Sequence, residues 1–521
     1  MTRYFRTNPY FYTVLRTAWP AFGLGPRSGD GRARRAAILL APAALLVASP
    51  ASAHALAERY DLPVPLGLYL GAAGAIVALS FVLLALFARR IPPAADYPRV
   101  DLAAAPGLRS IVYPWLRGGA GAVGLAVFVL IAATSFYGNQ DGLKNLAPVA
   151  VWVVWWVGLA FIAALIGNPW RALNPWRTAF QLAERLLSRA GATRTPPFRY
   201  PDRLAAWPAV ALFFIFIWME LVWEDAERPA SLGTAIIAYS GLTWAGMFAF
   251  GCERWLSAGE IFSVFFTTLG RFAPISGGGD DPDPPWTLRP WGVGLIAGGP
   301  VDVSMMAFVV AMLAAVTLDG FFETPPWAAV LATIADAAED GAYARLAEWV
   351  GLSPGALATS AALVGGPVLL LGVYGATAGL MARAAGAAKS SGEIARTFLR
   401  TLVPIAIAYH FAHYLSYLLF AGQFIIPLAS DPFGLGWDLF GTTLYRIDIG
   451  VIDARAVWFV ALSAIVLGHV AALILAHVAA IRRFGPGPAA LRSQYPMLAL
   501  MILYTMSSLW ILAQPIVVTR G

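Results

Sequence analysis

Residues 66–88 read LGLYLGAAGAIVALSFVLLALFA, with no charged side chain, and run directly into Arg89-Arg90. At the helical rise of about 1.5 Å per residue, a run of this length matches the hydrocarbon thickness of a bilayer. Hydrocarbon offers no water to a bare N–H or C=O, so such a segment must pair its backbone groups internally, as a helix does. The same pattern recurs along the chain. Ten spans are expected, at about 66–88, 119–137, 147–166, 204–224, 232–252, 301–319, 356–382, 400–427, 456–481 and 497–518.

Composition points the same way. Of 521 residues, 59% are hydrophobic and 12% charged, against about 25% charged in an average soluble domain. An ordinary soluble enzyme is excluded, because too few charges are present to cover its surface. Disorder is excluded by the 13% aromatic content together with the low charge density. The balance of 36 basic to 29 acidic residues gives +7, but the basic residues lie mostly in short loops between apolar spans. That is a topology signal and not a nucleic-acid patch. The single cysteine, Cys252, excludes an internal disulfide framework and a multi-cysteine metal cluster. The expected fold is all-α, a polytopic transmembrane helix bundle of about ten spans after a signal-like N-terminal segment.

That segment is 1–53. Arg32, Arg34 and Arg35 precede a short apolar run and then Ala51-Ser52-Ala53, the order of a secretory signal with a small-residue cleavage site. Cleavage after Ala53 would leave 54–521 as one transmembrane domain with His54 at its start; the alternative is an uncleaved first helix. Loop 89–118 carries Arg89, Arg90, Arg99, Arg109 and Arg117. Loop 167–203 carries Arg171, Arg177, Arg185, Arg189, Arg194, Arg199 and Arg203. Loop 383–399 carries Arg383, Lys389 and Arg396, and span nine ends at Arg482-Arg483. With ten spans all of these fall on one side. Loop 320–355 is acidic and falls on the other, where Lys144 is an exception. The positive-inside rule then puts both mature termini outside. Between spans five and six, ERWLSAGEIFSVFFTTLGRF (253–272) reads as an interfacial or re-entrant helix. GGGDDPDPP (277–285) reads as a turn-rich loop without the lysine of a phosphate cradle.

The polar residues inside the spans carry any chemistry. An ionisable group in hydrocarbon costs several kcal/mol by order of magnitude and usually faces the bundle interior with a partner. His410, His413, His469 and His477 fall in spans. His410 and His413 are one helical turn apart, about 60° around the axis, and His469 stands at nearly the same depth in the next span. Three readings stay open. A transition metal (copper, zinc or iron) would bind all three imidazoles. A haem would take one histidine from each helix, with tyrosines and aromatics as its wall. Otherwise each ring packs against a hydrogen-bonding neighbour or serves a proton path. His477 lies too far along the axis to share ligands with His469 and is expected near the inner face.

Glu220, Asp319 and Glu323 all lie toward the outer face. As functional groups they would be metal ligands, a general base or a cation entry point; otherwise they are interfacial carboxylates in contact with water. His54, as a free amino terminus, would pair its α-amino group with its imidazole to chelate copper; otherwise it is an ordinary first residue. The doubled Asn168-Pro-Trp170 and Asn174-Pro-Trp176 reads as structural, with Pro favouring turns and Trp anchoring at the headgroup level. Cys252 beside Glu253 reads as structural and not nucleophilic.

Several stretches together resemble the fenitrothion hydrolase family of bacterial integral membrane proteins. They are His54-Ala-Leu with Asp61-Leu-Pro-Val-Pro, Asn168-Pro-Trp with Asn174-Pro-Trp-Arg177, Gly259-Glu260-Ile-Phe, Asp319-Gly320-Phe321 and His410-Phe-Ala-His413-Tyr. The resemblance covers most of the mature chain and implies a protein of the bacterial inner membrane that cleaves an organophosphate triester. It carries over no catalytic residue. Such hydrolysis usually uses a metal-activated water; the histidines would hold the metal, Glu220, Asp319 or Glu323 would add carboxylate, and a small hydrophobic substrate would enter from the bilayer. The alternatives are a copper- or haem-linked redox or metal-handling protein, with a partner membrane subunit, and a transporter or channel whose pathway is lined by Glu220, Asp319 and the histidines.

Overall fold

The structure, a computed structural model, describes residues 60–88, 97–104, 113–191, 194–278, 283–337, 341–386 and 390–518. The signal-like segment and His54 lie outside the described residues. From Tyr60 onward the described residues pack as one all-α bundle, and among them ten helices are long and apolar enough to cross a membrane. Among the described residues four two-residue strands accompany them: β1 (Tyr60–Asp61), β2 (Val100–Asp101), β3 (Thr287–Leu288) and β4 (Val517–Val518).

The first helices are α1 (Leu66–Phe87), α2 (Tyr113–Tyr137) and α3 (Leu146–Leu165). They are followed by α4 (Pro175–Arg189), α5 (Trp207–Leu221), α6 (Pro229–Phe250) and the short α7 (Ile261–Gly270). The second half holds α8 (Val303–Phe322), α9 (Pro354–Ala384), α10 (Ser391–Phe398), α11 (Val403–Ala421), α12 (Ala454–Phe484) and α13 (Pro488–Ile516). Side-chain caps fix several starting points: Asp302 accepts from Ser304 and Met305 N–H, Ser353 from Ala356, and Asp453 from Ala456. Each satisfies amide groups that a helix cannot pair for itself.

Contacts between loops sort them into two ends. At one end the Asp283 carboxylate takes Arg99 Nε at 2.6 Å and Arg289 Nη1 at 2.7 Å. There β2 pairs with β3, Trp291 Nε1 donates to Leu165 O (3.2 Å), and Arg482 Nη1 donates to Ile296 O (2.7 Å). These bonds join the segments after α1, α3 and α6 to the end of α12. At the other end Asn139 N–H donates to Phe433 O (2.7 Å), and Ala230 N–H to Gln140 Oε1 (3.0 Å). The parallel pairing of β1 with β4 brings the start and finish of the bundle together. An even number of crossings requires that, and the first group of loops is the arginine-rich one. Lys144, at the opposite end, lies 3.6 Å from Asp141.

The centre of the bundle is set by α3 and α8, whose apolar windows are 72% and 61% buried, against 17% for α2. Helix α7 sits inside the bundle and not on its surface. Ile261, Phe262, Phe265, Phe266 and Leu269 are all buried, and Glu260 caps the helix by accepting from Phe262 and Ser263 N–H. This is re-entrant packing, not an interfacial amphipathic face. The tryptophans of the doubled Asn-Pro-Trp are corrected as well. Trp170 and Trp176 are buried, and Trp176 Nε1 donates to Ser240 Oγ (2.7 Å); neither is a headgroup anchor. The asparagines do make the turns, with Asn168 accepting from Trp170 N–H and Asn174 from Arg177 N–H.

Helices α11 and α12 approach closely at Gly468. A Cβ there would lie 2.2 Å from Ala408 Cβ and 2.9 Å from Pro404 O. Small residues at such crossings let backbones touch in the absence of water. Gly468→Val is expected to lower the melting temperature in detergent, at a cost of about 1–3 kcal/mol for an overpacked contact. Gly67→Ala, where a Cβ meets nothing within 4 Å, should not.

The Asp283 cluster predicts a pH dependence. Burial alone would raise this carboxyl, but the hydrogen bonds and charges of Arg289 and Arg99 outweigh burial and hold it below the usual carboxylate range. Its contribution to stability is therefore present above about pH 3.9, the unfolded value, and is lost as pH falls through the lowered one. Asp283→Asn should melt earlier than the parent at neutral pH, with the gap closing as pH falls through the lowered value.

Candidate functional site

Asp319 is the centre of the site. The sequence places it at the end of a span, but α8 continues to Phe322, so Asp319 is buried in the last turn and not in contact with water. Gly320 makes this possible. A Cβ at Gly320 would sit 3.0 Å from Tyr409 Oη and 3.6 Å from His413 Nδ1, so the glycine allows α8 to lie against α11 where the histidines are. Asp319 Oδ2 then meets His413 Nε2 at 2.9 Å and accepts from Tyr414 Oη at 2.5 Å. A buried carboxylate oxygen thus has both an imidazole and a phenol as partners, the arrangement a charge needs in hydrocarbon.

His410, one turn before His413, faces differently. Its ring meets Tyr414 edge-on at 4.7 Å, Phe161 at 5.7 Å and Trp156 at 6.0 Å. Its Nε2 is buried and, among the described residues, has no hydrogen-bond partner. On the far side, Trp156 Nε1 donates to Glu220 Oε1 at 2.8 Å, and Glu220 is only 6% exposed. Between them lies a cavity of about 30 Å³ whose walls include Trp156, Phe213, Glu220, Phe265, His410 and Tyr414. Its lining is mostly apolar, with Glu220, His410 and Tyr414 as the ionisable groups on it; a hole of that size has room for a water that those groups would bond. Glu323 is also near enough, with Asp319 and Glu220, for its charge to act at His413.

Trp156 belongs to a π-helical stretch of α3, Val149–Gly158. Wider i→i+5 turns are rare and frequent at functional sites. Here the stretch carries Trp152, Trp155 and Trp156, and turns Trp156 toward α5 and α11. No signal for π geometry is present in the sequence. The one hint is a tryptophan at mid-span, away from the headgroup level where the residue normally gathers. The sequence reading also gave no role to Phe213 or Phe265, and noted Tyr414 only as pocket wall.

The three-imidazole metal set is not assembled. Among the described residues no group of three or more His, Cys, Asp or Glu side chains is placed to hold a metal ion. His413 is engaged by Asp319, and His410 turns toward α3. His469 contacts its own helix, with Nδ1 2.8 Å from Ile465 O and its ring 6.1 Å from Tyr504. The reason is rotational: equal depth on neighbouring helices does not make side chains face each other. His477 is elsewhere, between Gln494 Oε1 and Ala88 O at 3.0 Å each, at the arginine-rich end. Cys252 has no reactive character, since burial and then the Glu253 charge push its thiol up to about 12.

Fold and site together define a class: an integral-membrane helix bundle with a carboxylate–imidazole–phenol cluster beside a water-sized cavity. The chain matches no family model, no curated protein and no solved structure.

The Trp156–Glu220 bond gives a ranking. Glu220→Gln keeps an acceptor for the indole N–H, whereas Glu220→Leu leaves a buried donor unmatched at about 1–3 kcal/mol. Melting in detergent should place the Gln variant closer to the parent than the Leu variant.

Proposed function

We propose that this protein moves protons through the membrane, as the proton-coupled element of a transporter or channel. The observation that carries the reading is the Asp319–His413–Tyr414 cluster buried between α8 and α11, with Tyr414 and the unpartnered His410 Nε2 on one cavity that Glu220 also faces. Intramembrane carboxylates and imidazoles in contact are the groups from which proton relays are built. A proton arriving at the cavity water can be taken by the Glu220 carboxylate or the His410 ring. Tyr414 can pass its own proton to Asp319 and regain one from the cavity side, while Asp319 and His413 share a proton directly. Two groups on the cavity and three in direct contact are the elements from which such a relay would be assembled.

Organophosphate hydrolysis, which the family resemblance implies, has less support at this site. A cavity of about 30 Å³ admits water, while small-molecule sites run to about 300–1,000 Å³. Glu220 and His410 are also fewer ligands than the three protein donors of a typical catalytic zinc site. By the positive-inside rule the arginine-rich end faces the cytoplasm, which puts the proton cluster toward the outer face and both mature termini outside; the bacterial inner membrane suits that arrangement.

Proteoliposomes containing a pH-sensitive dye and held under a potassium diffusion potential test the reading. The parent should acidify or alkalinise the lumen faster than empty vesicles, and Asp319→Asn should cut the rate about tenfold or more while remaining monodisperse. Parent flux at the empty-vesicle level under both polarities would overturn it.

A further inference from the structure

Helices α11 and α12, consecutive spans that run in opposite directions, cross where Ala408 faces Gly468. A helix turns about 100° per residue, and in an antiparallel pair the next residue on each partner swings to the same side of the crossing. Those residues are Tyr409 and His469, and both are fully buried. Tyr504 of α13 stands with them, its ring 6.1 Å from the His469 ring. Helix α8 completes the group through Thr317, two residues before Asp319. Thr317 Oγ1 donates to Leu313 O at 2.8 Å and lies 2.5 Å from Tyr504 Oη, which holds that phenol in place.

Two of these side chains bury a polar atom that bonds nothing. Among the described residues, Tyr409 Oη and His469 Nε2 have no hydrogen-bond partner. An orphaned polar atom is costly in a dry interior, and phenylalanine or leucine would avoid the cost. The His469 tautomer is also fixed. Its Nδ1 lies 2.8 Å from Ile465 O, and a carbonyl can only accept, so Nδ1 carries the hydrogen and Nε2 is the bare, proton-accepting nitrogen of the neutral ring. Tyr409 joins this group to the Asp319 cluster. Its Oη and His413 Nδ1 lie against one point on α8, 3.0 and 3.6 Å from where a Gly320 Cβ would stand, and the two rings are 6.4 Å apart. His413 meets Asp319 through Nε2, so Nδ1 is its second exchangeable position. Tyr409 is near enough to both Asp319 and Tyr504 for their charges to act on it.

We infer that His469 is a second proton-accepting station, supplied from the Asp319–His413 pair through the hydroxyls of Tyr409 and Tyr504. This rests on the proton-moving reading and extends its route across α11 to α12 and α13. The step balances as one proton moved. Protonated His413 gives its Nδ1 proton to Tyr409 Oη, Tyr409 passes its own hydroxyl proton to Tyr504, and Tyr504 passes its own to His469 Nε2. His413 ends neutral, both phenols are restored, and His469 carries the charge. Tyr409 precedes His413 by one turn of α11, so the route steps toward the arginine-rich end.

The proteoliposome assay, run with melting temperatures in detergent, tests the route. Tyr409→Phe and Tyr504→Phe each remove one oxygen and keep the ring, and His469→Gln keeps an N–H for Ile465 O. Each should lower proton flux about tenfold or more. Tyr409→Phe should do so while melting at or above the parent, because the atom it removes bonds nothing. Tyr504→His packs less well but returns a proton-carrying group, so it should melt lower than Tyr504→Phe and conduct faster, an order that a structural role for the hydroxyl would not produce. Leu503→Ala, on the exposed face of α13, should conduct as the parent does. Parent flux at the empty-vesicle level would reject proton movement itself. Parent flux that Asp319→Asn abolishes, with Tyr409→Phe, Tyr504→Phe and His469→Gln all within about twofold of the parent, would overturn this route alone, as would Tyr504→His conducting no faster than Tyr504→Phe.

Discussion

A charge in hydrocarbon has no solvent to answer it, and the arrangement at Asp319 follows from that. Its Oδ2 is met by the His413 imidazole and the Tyr414 hydroxyl, both from α11. To reach it, α11 must lie close against α8, which Gly320 permits, and α12 must lie close against α11, which Gly468 permits. The positions of three central helices are thus tied to one carboxylate. The same rule explains Glu220, whose Oε1 accepts the indole N–H of Trp156, and so ties α5 to the π-helical part of α3.

The two ends of the bundle solve different problems. At the arginine-rich end, guanidinium groups meet backbone carbonyls and a few carboxylates, and the loops there form a knit platform around Asp283 and the 295–300 turn. The opposite end is held by turns and caps. In the 431–453 segment, Asp431 accepts from Leu435 and Gly436 N–H, and Gln423 joins Asp448 and Tyr445. The Asp319–His413–Tyr414 cluster lies nearer this second end.

Much of the fold was legible because apolar run length is a local property. The stretches expected at 66–88, 119–137 and 147–166 lie on α1, α2 and α3 within a residue or so at most ends, and the alternation of basic and acidic loops anticipates which loops touch. Asp319, His410, His413 and Glu220 were also legible, as ionisable residues where hydrocarbon should be. Their partners were not. Asp319 and His413 are 94 positions apart, and Trp156 and Glu220 64 apart; no periodicity within one helix reports which face meets which neighbour. That is why His469, at the right depth, faces Tyr504 and not His413. The π-helical turn of α3 and the inward packing of Trp170 and Trp176 are likewise products of tertiary contact, for which residue type alone suggested the commoner answer.

Asp319 and His413 act as one unit, and a double-mutant cycle measures their coupling. Unfolding free energies in mixed detergent would be compared for the parent, Asp319→Asn, His413→Gln and the pair. The coupling should be on the order of 1–3 kcal/mol, as for buried groups in direct contact. Additivity within about 0.5 kcal/mol, the behaviour of distant residues, would contradict it.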